Sequence, residues 1–179
     1  MKLFSDIHAL LIETFIRGMF FSVVFVICAG YAIKGSDTKQ PLNILRWIIV
    51  ANAVIGIVSF FAGITIYERY LDRATGPYWW SYLLMLSCAL LLPFVLVIKN
   101  SKSLILVISF AINIGWFFER FVIFVTSLHR DYAPPSEHKL SLLSLIPLTP
   151  LYSGISIGLL AFLIGNAISR NKAFILSKN

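Results

Sequence analysis

The amino-acid sequence predicts an all-α membrane protein of about five transmembrane helices, and three observations support this fold class. Of its 179 residues, 59% are apolar and only 13% are charged, against about 45–50% and about 25% in a typical soluble domain. The mean hydropathy is +0.87. Several apolar runs also reach the roughly 20 residues that a helix needs to cross the hydrocarbon core. A soluble domain of this size would have too few polar side chains to cover its surface.

Five apolar runs are long enough to span a membrane, and they form a single domain. The predicted spans are residues 10–33, 44–67, 78–98, 104–127 and 148–168. Pro93 lies inside the third run and should kink it, because proline removes a helical hydrogen bond. A polar turn at residues 35–41 follows the first span.

The distribution of charge predicts the orientation. Five spans place the termini on opposite faces; one face then holds eight basic residues and one acid, Asp37, and the other holds five of each. The positive-inside rule puts the C-terminus in the cytoplasm and the N-terminus outside. The formal charge of +7 falls largely in short loops, which is typical of a membrane surface, so membrane lipids are expected partners and nucleic acid is not.

Charged residues within a span are the first candidates for chemistry, because burying them is unfavourable unless they are paired. Glu119 and Arg120 lie in the fourth span, ~13 Å below its outer end at ~1.5 Å per residue. Adjacent helical residues diverge by about 100°, so each should find its partner on another helix. They are either a structural ion pair or a proton-relay or quinone-headgroup contact. Glu13 and Arg17 have the i, i+4 spacing of a structural ion pair, and either could also pair with the charges in the fourth span.

The outer end of the fourth span carries a second titratable group. His129 and Asp131 could exchange protons near neutral pH, or they could form an ion cluster that docks a neighbouring subunit. No residue stands out as catalytic. The lone Cys28 and Cys88 resemble small hydrophobic residues, and no haem, iron–sulfur or zinc spacing is present, so we expect no metal and no cofactor bound by this chain alone.

Three segments carry a resemblance to a known family. They are Arg73-Ala-Thr-Gly-Pro-Tyr-Trp-Trp-Ser-Tyr82, Asn113-Ile-Gly-Trp-Phe-Phe-Glu-Arg-Phe-Val-Ile123 and Thr126-Ser-Leu-His-Arg-Asp-Tyr132. From about Tyr67 to Tyr132 the sequence resembles the membrane subunits of the NrfD/polysulfide-reductase type. Within that family it is most similar to the C-terminal half of the quinol-oxidising membrane subunits of bacterial alternative complex III.

The resemblance implies a four-helix bundle in a bacterial inner membrane. It also implies neighbouring iron–sulfur and haem subunits, and a menaquinol site near the outer face. Family members contain two such bundles, so the N-terminal four-helix half would be a separate polypeptide, or this chain would be a half-length relative. In the family an acidic residue often precedes an outer loop, whereas the corresponding stretch here, residues 59–64, contains no acid.

Three functions follow from these observations. The first is a membrane subunit of a respiratory quinol-oxidising electron-transfer complex, not catalytic alone, that forms or supports a menaquinol pocket and contributes to a proton path. The second is a purely structural scaffold subunit without a quinone site. The third, a small transporter, is disfavoured because the sequence predicts no inverted repeat and no pair of broken helices.

Overall fold

The described part of the chain consists of helices and short connections. The computed structural model describes residues 12–33, 35–66, 75, 79–118, 121 and 148–176, and it contains no strand in these ranges. A π-helical turn, Ile12–Ile16, precedes six α-helices: α1, Met19–Ala32; α2, Lys39–Ile66; α3, Trp79–Leu90; α4, Val95–Ile98; α5, Lys102–Ala111; and α6, Leu148–Leu176. A 3₁₀ turn, Leu92–Phe94, joins α3 to α4.

Among the described residues, three helical segments are long and apolar enough to cross a membrane. They are Lys39–Phe61, Trp79–Ile98 and Leu148–Asn171, while α1 and α5 are apolar but shorter. The all-helical class is therefore confirmed. The count of five spans and the four-helix bundle stay predictions.

The observed helices differ from the predicted spans mainly at their ends. α2 begins at Lys39 rather than at residue 44, because Asp37 accepts a hydrogen bond from the Lys39 backbone N–H at 2.8 Å and so satisfies a donor at the helix start. α6 continues past residue 168 to Leu176. In the third span the α-helix ends at Leu90 and gives way to the 3₁₀ turn that contains Pro93, as the sequence predicted.

α1 and α6 run parallel and pack closely against each other. A Cβ atom on Gly18 would lie 2.7 Å from the backbone nitrogen of Gly154, so only glycine fits at this crossing. One turn further along, a Cβ on Gly158 would lie 3.0 Å from the carbonyl oxygen of Ser22. The Ser22 hydroxyl donates to the Gly154 carbonyl at 2.8 Å and to the Gly18 carbonyl at 3.2 Å. Small residues on both helices thus let the backbones approach closely, as in membrane helix pairs.

The buried core lies where α1, α2 and α5 meet, with α6 covering one side. Most of its fully buried side chains are apolar, among them Met19, Val23, Leu45, Ile49, Ile105 and Ile108; Ser22 and Ser109 are also fully buried. By contrast, no residue of Trp79–Leu90 is buried. A helix that exposes apolar side chains all round is typical of one that faces lipid or another membrane subunit.

Candidate functional site

A cavity of about 700 Å³ opens between the start of the first helical segment, α3 and the residues after α5. Its size falls within the range of about 300–1,000 Å³ that small-molecule sites occupy. The lining is mostly apolar, and Arg17 and Asn113 are its polar side chains apart from the indole N–H of Trp116. The full lining consists of Ile12, Ile16, Arg17, Met85, Ala89, Ile112, Asn113, Gly115, Trp116 and Phe118. This combination of apolar walls and a few converging polar side chains is typical of ligand pockets.

The first wall of the cavity is an irregular helical turn. The Arg17 backbone N–H donates to the carbonyl of Ile12 at 3.1 Å, which is the i→i−5 spacing of a π-helix. Single π-helical turns in otherwise α-helical segments are frequent at functional sites. Here the irregular turn lies at the residue that brings a guanidinium group into the cavity wall.

Asn113, another residue of the cavity lining, is hydrogen-bonded to this turn. Its side chain is 3% exposed, and its Nδ2 donates to the carbonyl of Ile16 at 3.0 Å and to that of Ser109 at 3.2 Å. The regular α-helix of α5 ends at Ala111 just before it, and residues 114–118 are again helical. One buried amide therefore links the two irregular points through a hydrogen bond to a backbone carbonyl.

Trp116, which lines the cavity, belongs to an aromatic cluster. The Arg17 guanidinium carbon lies 5.6 Å from the centroid of the Trp116 ring, within the range of a cation–π interaction. Trp116 in turn packs edge-on against Phe117 at 5.1 Å, and Phe117 stacks on Phe110 at 5.2 Å. Packed rings of this kind have few rotamers available, so they hold the guanidinium group in a defined position.

The third wall comes from α3. A Cβ atom on Gly115 would lie 2.7 Å from the terminal methyl of Met85, so the glycine lets this flexible side chain reach the cavity. Met85 lies six residues after Trp79, or ~9 Å along the helix axis. Trp79 and Trp80 are half exposed, and tryptophan pairs of this kind are enriched at the membrane–water boundary. The cavity therefore lies within about two to three helical turns of this tryptophan pair.

The structure places one of the predicted site residues, Arg17, in the cavity wall. Glu13 lies in the π-helical turn, but its side chain is outside the described part of the chain, so the Glu13–Arg17 pair stays a prediction. The other candidates lie outside the described residues as well: Glu119, Arg120, His129 and Asp131. In the described ranges no group of three or more His, Cys, Asp or Glu side chains could hold a metal ion.

Two residues of the site escaped the sequence reasoning, which searched the spans for charges. Asn113 and Trp116 belong to the segments that resemble the family, but neither carries a charge that would mark it as a site residue in the sequence. An amide inside an apolar run is itself a signal, because it must find hydrogen-bond partners away from water. The GxxxG spacing of Gly154 and Gly158 was a comparable signal for the packing of α6.

Neither irregular point is an unwound helix. Gly18 has φ −79° and ψ −13°, and Ile112 has φ −62° and ψ −21°, so both backbones stay in the right-handed helical region. The half-helices of transporters are separated by unwound segments that expose backbone groups to a substrate. These two points in the described chain do not have that geometry.

The described residues form an all-helical structure, and three of its helical segments are long and apolar enough to cross a membrane. Comparison of the chain with protein families, with curated proteins and with solved structures gives no match.

Proposed function

We propose that the chain is a membrane subunit of a quinol-oxidising electron-transfer complex and that the cavity beside Arg17 receives the quinol headgroup. The observation that carries this proposal is the combination of a cavity of about 700 Å³ with a guanidinium group held over a tryptophan ring. The resemblance to NrfD-type subunits supports the same function, since Asn113 and Trp116 belong to the segments that carry it.

The chemistry of the cavity suits a quinol headgroup. A quinol is a flat aromatic ring with two oxygen atoms at opposite ends, so it needs apolar or aromatic walls and a hydrogen-bond donor at an edge. Ile12, Ile112 and Phe118 supply apolar wall. The guanidinium of Arg17 supplies a charged donor, and a charged donor binds an oxygen more strongly than a neutral one does, particularly away from water.

Oxidation of a quinol releases two electrons and two protons. An arginine guanidinium offers no basic site for a proton, but the positive charge of Arg17 favours the quinolate anion that forms when the first proton leaves. A carboxylate is the natural acceptor. Glu119 directly follows the cavity residue Phe118 in the sequence, and Glu13 lies one turn before Arg17. We assign the proton-accepting role to Glu119, which would take the two protons one after the other and release each to the water at the outer face. We assign Arg120 to a structural ion pair.

The electrons must leave the chain, because it is proposed to bind no redox cofactor of its own. Iron–sulfur and haem subunits at the outer face would accept them, and a second polypeptide would supply the other four-helix half. In this proposal the helical segments 12–32 and 102–118 also cross the membrane, giving five spans with the N-terminus outside. His129 and Asp131 would then lie on the same outer face.

A binding experiment with a soluble quinone tests the proposal. The chain is purified with its accompanying subunits and titrated with menadione, a menaquinone headgroup analogue, while quenching of tryptophan fluorescence is followed. Arg17→Gln should weaken binding about tenfold, the effect of losing one charged hydrogen bond. Lys102→Gln, which removes an exposed positive charge outside the cavity lining, should bind like the unaltered protein.

The scaffold function predicts a different result. It is favoured by the hydrogen bond from Asn113 to Ile16 and by the close α1–α6 packing, which are structural contacts. If menadione binds Arg17→Gln and the unaltered protein equally, the cavity is not a headgroup site and the scaffold function is preferred. Loss of subunits from the Arg17→Gln preparation, with intact binding per assembled complex, would point the same way.

A further inference from the structure

A second cavity lies at the opposite end of the helices, where the connection between α1 and α2 meets α6. It measures about 500 Å³ and is lined from both sides. Ile33, Gly35 and Ser36 come from the connection; Phe162, Leu163, Asn166, Ala167, Arg170 and Asn171 come from one face of α6. The redox function proposed above does not use this cavity.

The lining of this cleft changes from apolar to cationic along the axis of α6. Phe162 and Leu163 form the end that lies within the apolar segment, and Arg170 and Asn171 form the end where that segment stops. The two ends are ~12 Å apart at ~1.5 Å per residue. A ligand that matches this gradient has an apolar part and an anionic part separated by a similar distance.

The connection that forms one side of the cleft is fixed in place by Asp37. The Asp37 backbone N–H donates to Oδ1 of Asn166 at 3.0 Å, and its carboxylate accepts from the Ser169 hydroxyl at 2.8 Å. Gly35 has a φ of +84°, a conformation that glycine adopts without strain. The contacts of Asp37 with Asn166 and Ser169 therefore hold the two sides of the cleft together.

Charge around the cleft favours an anion. Both oxygens of Asp37 already accept hydrogen bonds, from the Lys39 backbone and from Ser169. The positive charges of Lys39 and Lys102 also act on that carboxylate. Arg170 is exposed, and within the described residues its guanidinium group makes no hydrogen bond or ion pair. The positive charges of Lys39, Lys102 and Arg170 exceed the single negative charge of Asp37, whose oxygens already accept hydrogen bonds. Arg170 can therefore contact an anionic ligand.

We propose that this cleft binds the phosphate headgroup of an anionic lipid, with Arg170 contacting the phosphate and an acyl chain lying along Leu163. The apolar end of the cleft opens to the side, because Ile33 is 53% exposed and Leu163 is 57% exposed. A lipid can enter from the surrounding bilayer through such an opening. Free phosphate would use only the cationic end, and it would gain nothing from the apolar wall.

The proposal is tested on the full chain with its accompanying subunits, stripped of native lipid in an uncharged maltoside detergent. Short-chain dioctanoyl phosphatidylglycerol, dioctanoyl phosphatidylcholine and inorganic phosphate are titrated separately, and the bound fraction is read by native mass spectrometry. We expect saturable binding of the phosphatidylglycerol. Phosphatidylcholine should bind at least tenfold more weakly because its headgroup has no net charge, and phosphate should not compete.

Three variants locate the site. Arg170→Gln should weaken phosphatidylglycerol binding about tenfold, the effect of losing a charged hydrogen bond. Lys99→Gln removes an exposed charge from the same end of the molecule but outside the cleft, and it should change binding less than threefold. Ala167→Phe fills the cleft without changing its charge, and it should abolish binding while circular dichroism shows unchanged helix content.

Several results would overturn the proposal. Equal losses in Arg170→Gln and Lys99→Gln would show general attraction to the basic surface. Unchanged binding in Ala167→Phe would place the lipid elsewhere. Competition by inorganic phosphate at the affinity of the lipid would identify a free-anion site, and failure of the unaltered protein to bind phosphatidylglycerol would remove the site altogether.

Discussion

Substitution of Gly154 by alanine tests the close packing between α1 and α6. A Cβ atom at this position would lie 2.7 Å from Cβ of Phe21, whereas ordinary contact begins at 3.4 Å. It would also meet the carbonyl oxygen of Gly18, a backbone atom that cannot rotate away. The two helices must therefore move apart by several tenths of an ångström, which lengthens the 2.8 Å hydrogen bond from Ser22 to Gly154.

Overpacking of a tight interface is unfavourable by about 1–3 kcal/mol. Part of this unfavourable free energy is offset, because alanine favours the helix over glycine by up to about 1 kcal/mol. The weakened hydrogen bond adds about 0.6 kcal/mol, the average for such bonds between membrane helices. We expect Gly154→Ala to lower the free energy of unfolding by about 1–2 kcal/mol.

Gly56→Ala is the matched control, because Gly56 also lies inside a long helix. There the new Cβ would meet only Cδ2 of Leu90, at 2.7 Å, the far end of a flexible side chain. Unfolding is followed in mixed micelles with increasing sodium dodecyl sulfate. Gly56→Ala should be neutral or slightly stabilising. If Gly154→Ala is as stable as Gly56→Ala, the close approach of α1 and α6 is not present in the protein.

Three further outcomes are expected. The hydrogen bonds from the Lys39 backbone and the Ser169 hydroxyl lower the pKa of Asp37 below its usual 3.8. Its ionised form therefore stabilises the fold above that pH, and the stability difference between the unaltered protein and Asp37→Asn should shrink as the pH falls through the lowered pKa, measured by thermal unfolding. Glu119→Gln should assemble normally but lower quinol oxidation per complex at least tenfold, ~1.4 kcal/mol on the barrier; full turnover would eliminate its chemical role. A cysteine at Lys102 should resist an impermeant external thiol reagent, whereas one at Glu137 should react; the reverse would invert the orientation.

The helical class could be predicted from the sequence because each apolar residue in a long run contributes to the same conclusion. Twenty apolar residues leave little alternative to a helix that satisfies its own backbone, and Pro93 interrupts its helix for a local reason, the missing N–H. The start of α2 was placed too late because Lys39 and Gln40 are polar. Hydropathy measures how favourably a residue transfers into lipid, so it marks the limits of the apolar run. The helix instead begins where Asp37 provides a hydrogen-bond acceptor.

The candidate site was predicted only in part, because it depends on contacts between distant segments. Arg17 was selected for its charge, with Glu13 as its expected partner. Its observed neighbour, Trp116, lies about a hundred residues away, and no local spacing encodes that distance. The hydrogen bond from Asn113 to Ile16 likewise joins residues separated by 97 positions. A single sequence shows that a charged residue lies inside an apolar span, but it does not show which distant residues that charge contacts.

The parallel contact between α1 and α6 also sets an order of events during biosynthesis. Ser22 and Gly154 are 132 residues apart, so α1 is synthesised long before α6, the helix with which it packs. Membrane helices insert individually and associate afterwards. Until α6 arrives, the small-residue face of α1 and the start of α2 have no helix to cover them. Any partner that reaches the nascent chain at this stage would meet this uncovered face first, and synthesis of α6 would displace it.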